Sequence, residues 1–157
     1  MAADCLRNKN RPVVVLLIED NNGDALLLRK AMKDLKGPYN VVHAKTAEAA
    51  LSMLRGQAQD EMVPTPDMII LDLNLPQMHG LDFLSVLKED SDLKHIPVVV
   101  LSSSRAEQDV MQSYKLHANG YIAKPNSLSM FKDVARAVDS FFVDLVLLPD
   151  DESVKWT

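Results

Sequence analysis

Met68-Ile69-Ile70-Leu71-Asp72 reads as a short strand with a carboxylate at its end. Its four apolar residues do not alternate with polar ones, so both faces of the strand need cover. That is the pattern of a parallel sheet with helices on each side. The pattern recurs in Val13–Ile18, which runs into Glu19-Asp20, and in Val98–Leu101, which runs into Ser102. Weaker runs at Tyr39–Ala44 and Gly120–Ala123 complete a set of five, the last followed by Lys124.

Helical spacing fills the intervals. The first helix is predicted from Asp24 to about Lys36, with Leu28, Met32 and Leu35 on one face, after an Asn21-Asn22-Gly23-Asp24 turn and N-cap that also sits beside the acidic pair Glu19-Asp20. The second spans Thr46 to Arg55, with Ala47, Ala50, Leu51 and Leu54 aligned and Thr46 as N-cap. The third covers Leu81 to about Lys88. The fourth follows Ser104, where Ser104-Arg105-Ala106-Glu107 reads as a capping box. The fifth starts near Asn126 and Ser127 and continues to about Leu147. Strand and helix alternate five times, and right-handed crossovers make this an α/β, doubly wound, five-stranded parallel sheet with five helices in three layers. Residues 57–67 form a polar loop, and the domain is expected over 12–148, with tails at 1–11 and 149–157.

Composition narrows the function classes. The 157 residues carry a formal charge of −5, against a nucleic-acid binder, which needs a basic stripe. Hydrophobic residues at 47% and charged ones at 25% fit a globular domain. Val13–Ile18, the longest apolar run, is far short of the roughly 20 residues that span a membrane. A single cysteine, Cys5, excludes an internal disulfide and fits a cytoplasmic location.

In open α/β sheets ligands bind beyond the carboxyl ends of the strands. There the first strand delivers Glu19 and Asp20, the third Asp72, the fourth Ser102 and the fifth Lys124. A polar residue after a buried strand is commonly just the chain returning to water, so each alone says little. Together they define a chemistry. Three carboxylates repel one another unless a cation neutralises them. Oxygen donors without a Cys or His partner select a hard ion, Mg²⁺ before Ca²⁺ or Zn²⁺. An ammonium and a hydroxyl facing that ion can hold phosphoryl oxygens, and phosphoryl transfer needs little more than such positioning. An aspartate then serves as acceptor, forming an acyl phosphate. His43, His79, His95 and His117 are scattered without ligand spacing.

Glu19-Asp20, Leu71-Asp72-Leu73-Asn74-Leu75-Pro76, Ser102 and Tyr121-Ile122-Ala123-Lys124-Pro125 resemble the pattern of two-component response-regulator receiver domains. The likeness runs from about Val13 to Phe142, and the intervals of 30 residues from Asp72 to Ser102 and 52 to Lys124 fit it. The resemblance implies a flavodoxin-like sheet of order 2-1-3-4-5 with Asp72 as phosphoacceptor. It also implies Mg²⁺ bound directly by Asp20 and Asp72, through water by Glu19, and by the backbone carbonyl of Asn74. Lys124 and Ser102 would contact the phosphoryl group, and Tyr121, otherwise a half-buried edge residue, would be a switch that turns inward with Ser102. The Lys124–Pro125 bond resembles one that is cis in the family. Glu19 stands where an Asp is more frequent, a change that family members tolerate.

The implied function is a single-domain response regulator that takes a phosphoryl group from a histidine kinase and signals through protein contacts. It is not an enzyme beyond catalysing its own phosphorylation and slow dephosphorylation. The Leu-Asp-Leu-Asn-Leu-Pro run, the Asn-rich turn and the long fifth helix look like response regulators paired with bacterial, cyanobacterial-type phytochrome kinases. A downstream protein or phosphotransfer partner is expected, with no nucleic acid and no membrane. Apolar residues of the fifth helix, among them Met130, Ala137 and Phe141, cover an arc of roughly 180° where about 100° suffices for one sheet face, so a homodimer on this helix is expected. A fold-back of Val146–Pro149 is the alternative cover. Two rival functions share parts of this pattern. A haloacid-dehalogenase-type aspartyl-phosphate phosphatase wants its nucleophile after the first strand and a second acid two residues later, where this chain has Asn74 after Asp72. A flavin-binding module wants a Ser/Thr/Gly-rich phosphate loop where this chain has Glu19-Asp20-Asn21-Asn22.

Overall fold

The computed structural model describes residues 11–35, 37–56 and 65–141. Its strands are β1 (Val13–Ile18), β2 (Tyr39–Ala44), β3 (Met68–Leu71), β4 (Val98–Ser102) and β5 (Gly120–Ala123). They alternate with α1 (Asn22–Lys33), α2 (Ala47–Leu54), α3 (Gly80–Glu89), α4 (Glu107–Lys115) and α5 (Leu128–Val138). The sheet is parallel throughout, in the order β2-β1-β3-β4-β5. This is the expected doubly wound architecture.

Successive residues of the three central strands feed opposite cores, which is why these strands show no polar alternation. Leu16, Ile18, Ile69, Leu71, Val98 and Val100 pack with Ala47, Ala50 and Leu51 of α2 and Phe83, Leu84 and Leu87 of α3. Val13, Val15, Leu17, Met68, Ile70, Val99 and Leu101 pack with Leu28 and Met32 of α1 and Phe131, Ala135 and Val138 of α5. Phe83 and Phe131 are the largest fully buried side chains, one on each side, and burying each contributes roughly 2–3 kcal/mol. The sheet's edges, β2 and β5, are only partly covered, and their sequence signal is correspondingly weaker.

Three local expectations need correction, and a fourth, for the fifth helix, is described only in part. The first helix starts at Asn22 and ends at Lys33, with Asn21 accepting a hydrogen bond from the Asp24 N–H. No capping box forms at Ser104. Helix α4 begins after Ala106, which has no side chain able to cap, and the Ser104 hydroxyl instead donates to the Asp109 carboxylate. Regular α5 ends at Val138 and passes into a wider, π-type turn over 139–141, while the expected run to Leu147 and the Val146–Pro149 fold-back lie outside the described residues. The Lys124–Pro125 bond is trans, the form that tertiary amides still favour by about 0.5–1 kcal/mol.

At the amino ends of the strands, Arg11 makes a two-pronged pair with Asp67 at 2.7 and 2.8 Å, and Asp67 also accepts from the Val14 N–H at 2.8 Å. This clip joins the start of β1 to the approach to β3. At the opposite end Gly80 brings α3 against the backbone that follows β3, its N–H donating to the Leu73 carbonyl at 2.9 Å. A Cβ at Gly80 would lie 2.5 Å from the Asp72 carbonyl oxygen and 2.6 Å from the Leu73 Cα. Both neighbours are backbone, so neither can swing away. Gly80→Ala is therefore expected to cost about 2 kcal/mol or more and to disturb the Asp72 turn. Urea unfolding measures it, and a variant as stable as wild type would show that α3 can shift freely.

Candidate functional site

The rim residues are held by the sheet itself. Beyond the last strand residues, the Glu19 N–H donates to the Ala44 carbonyl at 3.0 Å, the Asp72 N–H to Ile18 at 3.0 Å, and the Lys124 N–H to Ser102 at 2.8 Å. Each bond carries the ladder one residue past its strand, fixing the backbone from which the functional side chain projects.

Glu19, Asp20 and Asp72 each offer a carboxylate oxygen, and these oxygens lie within 4.8 Å of one another. Glu19 and Asp72 are buried and Asp20 is exposed, so the cluster opens to solvent on one side. Lys124 reaches in from the end of β5. Its ammonium lies 2.6 Å from Glu19 Oε1, 2.9 Å from Asp24 Oδ2 and 3.3 Å from Asp72 Oδ2. The other Glu19 oxygen accepts from the Asn21 N–H at 3.2 Å, and Asp72 Oδ1 from the Asn74 N–H at 3.3 Å.

Burial, followed by the contact with Asp72, raises the Glu19 carboxyl from its ordinary 4.5 to about 8, although Lys124 pulls it down. The folded protein thus keeps a proton that the unfolded chain releases above about 4.5, and with no metal bound this group weakens the fold as pH rises from 4.5 to 8. A divalent cation competes with that proton. For Lys124, burial alone would lower the ammonium; the bonds to Glu19 and Asp24 and the Asp72 charge outweigh it and hold the group above the ordinary lysine value.

Ser102, fully buried at the end of β4, accepts from the Ser104 N–H at 3.3 Å. Asn74 Nδ2 contacts Ser103 Oγ at 3.3 Å. The Tyr121 hydroxyl donates to the Ser104 carbonyl at 2.8 Å, linking β5 to the segment that leaves Ser102. Of the expected residues, Glu19, Asp20, Asp72 and Lys124 come together, Asn74 joins through its backbone, Ser102 ends β4 beside them, and Tyr121 in β5 is bonded to the β4–α4 segment through its hydroxyl.

Two residues of the site escaped sequence reasoning. Asp24 read as part of a turn beside the acidic pair, and its bond to Lys124 was not expected. His43 is the penultimate residue of the edge strand β2, and its Nε2 sits 2.7 Å from the Glu19 carbonyl oxygen, steadying the acidic turn from the side. His79 is structural, its Nδ1 accepting from the Leu81 N–H at the start of α3.

An all-oxygen, acidic, partly open cluster fits a hard divalent ion that keeps water ligands. The facing ammonium suits a second anion, and a phosphoryl group offers both the oxygen for the ion and the charge for the lysine. That combination defines a phosphate-signalling module. The chain matches the response regulator receiver domain over residues 15–136 and belongs to that family.

It is 38% identical over 140 residues to Response regulator Rcp1 of Synechocystis sp., covering 89% of this chain and 95% of the relative. The crystal structure of the Mn²⁺-bound form of Rcp1 matches with a TM-score of 0.82 at 37% identity, over 88% of this chain and 100% of that one. The phosphorylated cyanobacterial phytochrome response regulator RcpA matches with a TM-score of 0.84 at 36% identity, over 89% and 100%. Receiver domains bind a divalent metal, and Glu19, Asp20 and Asp72 are the acidic cluster able to hold it here. They are signalling domains rather than classical enzymes, which sets the phosphatase alternative aside, as the Glu19-Asp20-Asn21-Asn22 turn does the flavin one. No described helix is long and apolar enough to cross a membrane.

Proposed function

We propose that this domain, extending over about 12–148, accepts a phosphoryl group on Asp72 from the phosphohistidine of a phytochrome-class histidine kinase. The observation that carries this reading is the Lys124 ammonium, 3.3 Å from Asp72 and 2.6 Å from Glu19, set against the cluster of Glu19, Asp20 and Asp72. Asp72 attacks phosphorus, a P–O bond forms as the P–N bond to the kinase imidazole breaks, and Lys124 neutralises charge on the transferred oxygens. A bound Mg²⁺, held by Asp20 and Asp72, by Glu19 through water and by the Asn74 carbonyl, would supply the remaining charge neutralisation. The chain thereby catalyses its own phosphorylation and a slow hydrolysis only. Ser102 and Tyr121 read out the new group, since the Tyr121 hydroxyl is bonded to the segment that Ser102 would pull.

The kinase assignment is supported by the similarity to Rcp1 and RcpA, and a cytoplasmic location fits a kinase that draws on ATP. A phytochrome kinase, prelabelled with radioactive ATP and mixed with this protein, should lose its label to it within minutes in Mg²⁺. An unrelated kinase should transfer far more slowly. Equal rates would remove the phytochrome assignment.

The outward face of α5 supports a homodimer. Phe131, Ala135 and Val138 are buried in the core, while Leu128, Met130 and Phe141 are 45–54% exposed. A two-fold pair would juxtapose this patch with its own copy. Sedimentation over a micromolar dilution series should show a reversible dimer, and Phe141→Asp a monomer. Wild-type protein monomeric in both phosphorylation states would dismiss the dimer.

A further inference from the structure

An ammonium has three N–H donors, and Lys124 has three carboxylate partners within 3.3 Å: Glu19, Asp24 and Asp72. Every donor is committed. Glu19 and Asp72 belong to the cluster able to hold a metal ion, but Asp24 does not. Asp24 stands in the first turn of α1, its backbone N–H held at 3.0 Å by Asn21 and its side chain 29% exposed.

We propose that Asp24 is a positioning residue that draws Lys124 away from the phosphoryl group and so limits how strongly the phosphorylated form is favoured. This rests on the reading of Asp72 as acceptor and Lys124 as its partner. A phosphoryl group brings nearly two negative charges and three acceptor oxygens. Lys124 can bond to it only by turning a donor away from a present partner. For Glu19 and Asp72, the ion and the phosphoryl group take over that role. Asp24 has no such substitute, keeps its claim on a donor, and places a negative charge one ammonium away from the incoming one. The competing structural role is simpler: a carboxylate in a first helical turn stabilises the helix dipole. That role moves stability and leaves phosphoryl affinity unchanged.

Beryllofluoride, a non-covalent phosphoryl mimic, separates the two in the full-length protein with Mg²⁺, titrated by fluorine NMR. Asp24→Asn should bind it about three- to tenfold more tightly than wild type, a range that allows for the partial exposure of the pair. Asp24→Glu, which can still reach Lys124, should return the affinity toward wild type. In a Lys124→Ala background the same Asp24→Asn change should have no effect, since the cycle isolates the coupling. Asp24→Ser provides a second short polar side chain should the amide variant fold poorly. Unchanged or weaker binding in these variants, or a gain that persists without Lys124, would overturn the proposal. Wild-type protein that takes up no beryllofluoride would overturn the Asp72 reading itself, and this proposal with it.

Discussion

Asp72→Asn should reduce phosphoryl incorporation by at least about a hundredfold, from a phosphohistidine donor and from a small phosphoramidate alike. The amide is nearly isosteric with the carboxylate, so it keeps the turn after β3. It lacks the anionic oxygen that must form the new P–O bond. The fold should not suffer. Removing one charge from a cluster whose oxygens lie within 4.8 Å relieves repulsion and one of the influences that push the Glu19 carboxyl up. Intact-mass measurement, with and without EDTA, reads the outcome directly. Wild-type protein should gain one phosphoryl group in Mg²⁺ and essentially none in EDTA, and the variant none in either. A full label on Asp72→Asn would place the acceptor elsewhere, and Asp20, the exposed member of the cluster, would then be the residue to test.

The legible part of this architecture is what burial dictates. Val13–Ile18, Met68–Leu71 and residues 98–101 are buried at every position, and a strand covered on both faces has nothing polar to show. The carboxyl-end rule then places Glu19, Asp20, Asp72 and Lys124 on one rim before any coordinates are known. Helix starts were legible where a side chain caps, as at Thr46 and Ser127, which accept from the Ala49 and Met130 N–H groups. They failed at α4. There Ser104 has a rival partner, the Asp109 carboxylate, and such competition depends on where the helix axis lies. The Asp24–Lys124 pair and the role of His43 were missed for a related reason. Each acts through a contact distant in sequence, Asp24 with Lys124 and His43 with the Glu19 carbonyl, and each residue type is common at a helix start or strand end.

Lys124→Ala should separate the two things this lysine does. As an ion-pair partner it holds buried carboxylates together; as the cation of the phosphoryl group it would transmit the signal, a role with little share in the fold. The distances of 2.6 to 3.3 Å to three carboxylates give it a larger structural share. Removing one partner of a buried charge group typically costs about 3–5 kcal/mol. The cost here should be lower, about 1–3 kcal/mol in EDTA near neutral pH, because burial already pushes the Glu19 carboxyl upward and lets it take up a proton once its cation is gone. A divalent cation replaces part of the lost positive charge, so thermal melts should show a smaller deficit in Mg²⁺ than in EDTA. Function should respond differently. Asp72 keeps its nucleophilic oxygen and the acidic cluster, so the variant should still be phosphorylated, though slowly. The phosphoryl group would lack its cation, and the change at the β4–α4 segment should be largely lost. Phosphorylation should therefore no longer alter the dimer equilibrium or binding to a downstream partner. A variant that unfolds in Mg²⁺ as well as in EDTA would make Lys124 a structural residue first. One that shifts the dimer equilibrium like wild type would remove it from the switch.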